Sequence, residues 1–214
     1  MRKIILITLI ILNICLPAQA FAAINPKSNF YFLQSWGEII RLFFTFSKEG
    51  KIDYLIQLTD RRAEEISNNA LDLDKEEMEK IIERYQDHFI EIKNISSEEI
   101  ENKNQISQKV RRTNINQQQL LASAYQTIPE EKEELIVNAQ KSSSENVFQV
   151  VKQIEGENAA ENFLEQVQQI QQAQIVQKIE MAPMEGGALQ AGEGGGGSKP
   201  SNPLNPLQEG KELK

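Results

Sequence analysis

The chain has 214 residues, 31 acidic against 23 basic side chains, a net charge of −8, and a single cysteine, histidine and tryptophan. One His and one Cys exclude a His/Cys metal centre built within the chain, and any Ser-His-Asp or Cys-His nucleophile would have to run through His88. The acidic balance argues against a nucleic-acid partner, whose phosphates need a basic face.

Met1-Arg2-Lys3 is a short positive stretch, Ile4–Leu16 is almost continuously aliphatic, and Pro17 precedes the overlapping A-x-A sites of residues 18–23. That order predicts a secretory signal peptide over residues 1–22, cleaved after Ala22 or alternatively after Ala20. The apolar run is too short to span a bilayer, so no transmembrane helix is expected after cleavage. An uncleaved N-terminal anchor is the alternative. Cys15 follows Ile14 rather than the small residue a lipidation site wants. The mature chain would then lack cysteine and depend on packing, not disulfides.

Residues 27–181 contain three glycines (Gly37, Gly50, Gly156) and one proline (Pro129), with apolar residues at three-four spacing, so the body is read as all-α. Phe32, Trp36, Ile39/Ile40 and Phe43 lie at helical spacing on a first helix that is apolar over most of its circumference. The expectation is a core anchor beneath later helices, with Trp36→Ala the most damaging substitution; the alternative is a ligand-binding aromatic cluster.

Ser47 is placed as the N-cap of a second helix reaching about Asn69, with Ile52, Leu55/Ile56, Thr59, Ala63, Ile66 and Ala70 inward. Asp74 and Glu77 form a capping box for a long third helix on Met78, Ile81/Ile82, Tyr85, Phe89, Ile92 and Ile95. It either continues past Ile100 to Val110 or kinks near Ser96-Ser97 or Thr113–Asn116. Pro129 and Glu130 open a fourth helix that Gly156 ends, and a fifth runs from about Glu157 to Met181. That last helix carries seven glutamines between Gln166 and Gln177, an uncharged polar face suited to lateral contact, so helices 130–181 offer a surface for self-association.

The expected architecture is a signal peptide (1–22), a three-helix bundle or hairpin domain (23–112), an extension of one or two amphipathic, coiled-coil-like helices (113–181) and a disordered tail (182–214). The tail holds eight of the eleven glycines and four of the seven prolines and lacks apolar surface to offset ordering entropy.

Residues Asn29 to Ile66 resemble the extracytoplasmic bacterial "domain of unknown function 5667" family. Its pattern opens on an aromatic Tyr-x-Leu and a Glu, then Leu-x-x-Thr-Phe-Asp, before a helix closing on Arg-Leu-x-Glu. Tyr31, Leu33, Glu38, Leu42, Thr45, Phe46, Leu58, Arg62 and Glu65 stand at matching positions, with Trp36 inside the motif. Ser47 replaces the usual Asp, Thr59 a usual Ala and Ala63 the usual Leu. The resemblance spans about residues 26–95. It implies an exported helical module behind a signal peptide or anchor, and it supplies no catalytic residues.

Physically, Arg62 and Glu65 share a helix face and can pair with each other or with Glu38, a register device between two helices. His88 is expected half-exposed on a helix surface, titrating near neutral pH. The acidic runs Glu76-Glu77 and Glu130–Glu134 lack calcium-loop spacing and read as solvated helix starts. No catalytic, metal or cofactor site is expected. The expected function is that of an exported, non-enzymatic helical module acting on a protein partner or envelope component. An extracytoplasmic sensor or chaperone-like stress protein is the alternative.

Overall fold

A computed structural model describes Ser28 and residues 31–181; the expected signal peptide and tail, Phe30 and the side chain of Phe32 lie outside it. The described residues form six α-helices and no strand: α1 Tyr31–Phe44, α2 Lys48–Asn69, α3 Lys75–Ser96, α4 Lys103–Thr127, α5 Glu130–Glu155 and α6 Glu157–Met181.

The helix starts follow the local chemistry of the sequence. Ser47 Oγ accepts from Gly50 N–H at 3.1 Å. A Cβ at Gly50 would meet that oxygen at 2.6 Å, so glycine lets the cap close. Asp74 and Glu77 exchange both bonds of the capping box, at 2.8 and 3.0 Å. Gly156 ends α5 at φ 97°, a conformation that favours glycine.

Six helices rather than five arise because the long third helix breaks at Ser96. Asn102 sits in the left-handed region at φ 54° and opens α4. The turn between is held to the start of α2: Lys48 Nζ pairs with Glu98 at 2.8 Å and Glu101 N–H donates to Glu49 at 3.0 Å.

α2 packs against α3 and α4, and α5 packs against the same two, closing a ring of four helices; α6 covers α4 and α5. The expected boundary at 112/113 falls inside α4, and one apolar core runs from Ile52 on α2 to Val167 on α6, so the body is not split there. The inward residues expected on α2 and α3 are buried except Ile95, as are Ile136, Ala139, Val147, Val150 and Val151 of α5; Ile95 and Ile154 are half-buried and pack against the core.

The core is also polar. Tyr85 Oη donates to Gln117 Oε1 at 3.0 Å, and Gln117 Nε2 donates to Thr59 and Asp60 at 3.0 and 2.7 Å. Gln118 Nε2 donates to the Gln140 carbonyl at 3.0 Å, and Gln140 Nε2 to Gln174 Oε1 at 2.9 Å. These amides link α3 to α2 through α4, and α4 to α6 through α5. Lys132 is buried at the start of α5 and donates to the carbonyls of Leu73 and Ala70 at 2.5 and 3.2 Å, beyond the end of α2.

The expectation for the first helix is overturned. Trp36 is 67 % exposed and Phe43 75 %, and Leu33, Ile39, Ile40, Phe44 and Phe46 are exposed with them. The helix, read as apolar over most of its circumference, turns its polar face inward. Trp36→Ala should therefore change stability by no more than about 0.5 kcal/mol. Phe89→Ala, in the centre of the bundle, should cost about 3–5 kcal/mol. Denaturant unfolding of the two variants checks the contrast.

Candidate functional site: a buried ionic clasp beneath α1

Arg62 lies one-third of the way from the C-terminus of α2 and is fully buried, its relative exposure 0 %. A guanidinium cannot shed its proton to suit an apolar site, so it must be surrounded by acceptors. One Nη donates to both oxygens of Glu65 at 2.7 Å, and the other donates to Glu38 of α1. Burial works against the Arg62 charge, and the carboxylates of Glu65 and Glu38 more than offset it, leaving its pKa raised.

The remaining acceptor capacity is taken from α1 and α2. Arg61 donates to Glu38 Oε1 at 2.8 Å. Gln34 Nε2 lies 3.3 Å from both Glu38 and Glu65. Tyr31 Oη donates to Glu65 Oε2 at 3.0 Å, and burial pushes its phenol up to about 12. From α3, Arg84 stacks over the Tyr31 ring at 5.3 Å and donates to Ser35 Oγ at 2.7 Å. All four carboxylate oxygens of Glu38 and Glu65 are thus engaged, by groups at positions 31 and 34 of α1 and 61 and 62 of α2. The cluster is a clasp that holds α1 by its polar face.

His88 faces this clasp from α3. Its Nε2 is buried with no hydrogen-bond partner among the described residues. Burial and then the nearby Arg62 charge push its pKa down to about 4, with Arg84 adding to the effect and Glu38 opposing it. The histidine is partly exposed as expected, but the expected titration near neutrality is corrected: the ring is neutral in the folded protein at pH 7.

The motif residues separate into two sets. Tyr31, Glu38, Arg62 and Glu65 meet in the clasp, and Leu58 is fully buried in α2. Leu33, Trp36 and Phe46 lie on the exposed side. Gln34, Arg61, Arg84 and His88 complete the site and were not singled out together in the sequence. Gln34 and Arg61 could have been found by helical spacing from Glu38 and Arg62, whereas Arg84 and His88 arrive through tertiary packing alone.

A second feature is a groove of about 510 Å³ between α4 and α6, lined by Gln119, Ser123, Gln126, Ala173, Gln177 and Met181. Its walls are mostly amide and aliphatic, with the Ser123 hydroxyl and the Glu180 carboxylate among them. Among the described residues, no group of three or more His, Cys, Asp and Glu side chains is placed to hold a metal ion.

Arg62→Ala would leave Glu65 and Glu38 buried without their main counter-charge. It should cost about 3–5 kcal/mol, more than replacing any exposed arginine, as read by denaturant unfolding. His88 gives a pH signature. Its folded pKa lies below the unfolded value of about 6.5, so the unfolded chain binds the extra proton between the two. Stability should fall as pH drops from about 6.5 towards 4, by at most about 3 kcal/mol from this residue. His88→Gln should flatten that part of the stability–pH curve.

No curated protein and no solved structure matches the chain. The family model described as "Domain of unknown function (DUF5667)" matches residues 23–182, which takes in the clasp, the exposed face of α1 and every described helix. The chain therefore belongs to the DUF5667 family.

Proposed function

We propose that this chain is an exported, non-enzymatic helical module that acts by contact with a protein or envelope component, and that α1 is the part that makes the contact. One observation carries the reading: α1 is fastened by its polar side and presents Leu33, Trp36, Ile39, Ile40, Phe43 and Phe44 outward, with Phe46 exposed just beyond its end. An unpartnered helix face of that size costs solubility and marks an interaction site. The chemistry of the clasp supports a non-catalytic role, because its carboxylate oxygens are engaged by arginine, glutamine and tyrosine and its histidine is held neutral. Export rests on the leader-like residues 1–22.

The same face supports the chaperone-like reading, since an exposed aromatic helix suits transient capture of unfolded apolar segments. That reading requires the chain to suppress aggregation of a heat-denatured client.

Contact through α1 is tested by fractionating cells that carry the wild-type chain or Ile39→Ser/Phe43→Ser. Both residues are exposed, so the variant should keep the wild-type thermal midpoint. The wild type should sediment with the envelope fraction, and the variant should shift to the soluble fraction. A variant that fractionates like wild type removes α1 from the role.

A further inference from the structure

Resting on the reading of α1 as the contact face, we infer that its occupant is a phospholipid bilayer surface carrying anionic headgroups, with α1 lying in the plane of the interface.

The first argument is charge. The protein as a whole is acidic, at −8. Around α1 the balance is reversed: Arg41, Arg61, Arg62 and Arg84 stand against Glu38 and Glu65, a local excess of two positive charges. Glu38, the sole acid of α1, is turned inward and held by two arginines. The outward face therefore carries no carboxylate, while Arg41 stays exposed beside it, stacked on Tyr54 at 4.4 Å. An apolar face flanked by cations and cleared of anions complements an anionic membrane surface.

The second argument is composition and length. Trp36, Phe43, Phe44 and Phe46 dominate the face, and aromatic rings favour the headgroup level of a bilayer. The 14 residues of α1 extend about 21 Å, enough to lie in an interface and too short to cross one. No described helix is long and apolar enough to cross a membrane.

The third argument is what a second copy would bring: an α1 whose outward face carries no carboxylate to meet these arginines.

Trp36 is the sole tryptophan of the chain and sits on the face in question, so the full-length protein carries its own probe. The experiment follows its emission with vesicles of phosphatidylcholine, with or without phosphatidylglycerol, and with brominated acyl chains as short-range quenchers. With phosphatidylglycerol present, Trp36 should shift to shorter wavelength and be quenched by the brominated lipid. The apparent affinity should fall about tenfold on phosphatidylcholine alone. Phe43→Ser/Phe46→Ser should keep the wild-type thermal midpoint and lose lipid quenching by about tenfold or more in affinity. Equal affinity for the two vesicle types overturns the role given to the arginines. A Trp36 that stays water-quenchable while the chain is on vesicles overturns the bilayer as occupant. A blue shift that follows protein concentration without lipid also overturns it, identifying a second copy while α1 remains the contact face. A Trp36 already shielded in dilute protein without lipid overturns both this inference and the reading of α1 beneath it.

Discussion

Arg62 is a permanently charged side chain with no access to water, and the placement of α1 follows from that constraint. A buried guanidinium needs carboxylates at bonding distance, and α2 supplies one, Glu65, from its own next turn. The second must come from elsewhere, and Glu38 brings α1 with it. Because Glu38, Gln34 and Tyr31 occupy one face of that helix, fastening them to Arg62 turns the opposite, aromatic face outward. Burying the aromatic face instead would strand the guanidinium without its second acceptor and place Glu38 in solvent, where its pairing is worth little. The ionic contact thus decides the orientation against the hydrophobic preference of the helix.

The bundle beneath carries the apolar burden that α1 declines. Its α2–α5 ring and α6 share one core, and glutamine amides thread through it between helices. Buried amides specify register more sharply than aliphatic contacts, because a slipped helix leaves donors unmet in low dielectric. Gln117 meets Tyr85, Thr59 and Asp60 at once, so three helices must be in register together. The aromatic face of α1 takes no part in this core and is left free for contact.

Much of the body was legible in the sequence. The Ser47 cap, the Asp74/Glu77 box and the Gly156 stop are short-range devices whose chemistry is complete within four residues, and each appears in the structure. The inward stripes of α2 and α3 followed from spacing. What escaped were decisions taken at long range. Amphipathicity shows that Trp36 and Glu38 lie on different faces of α1 but not which face the bundle takes, and hydropathy assigns the aromatic one inward. The pairing of Arg62 with Glu65 and Glu38 followed from helical spacing, but its complete burial did not. Gln117, Gln118 and Gln140 look solvated because nothing local announces their mates. A break at Ser96 was one of three open outcomes, beside a break near Thr113–Asn116 and no break, and Asn102 with the Lys48–Glu98 pair settles it through contacts about 50 residues apart.

The fastening of α1 by its polar face is tested most directly by native-state hydrogen exchange on Glu38→Gln beside the wild type. The substitution removes charge from α1 while leaving the Arg62–Glu65 pair within α2. Amides of α1 should lose protection and exchange as a separate unit, while those of α2–α6 keep wild-type rates. Unchanged protection across α1 would contradict the clasp as its fastening.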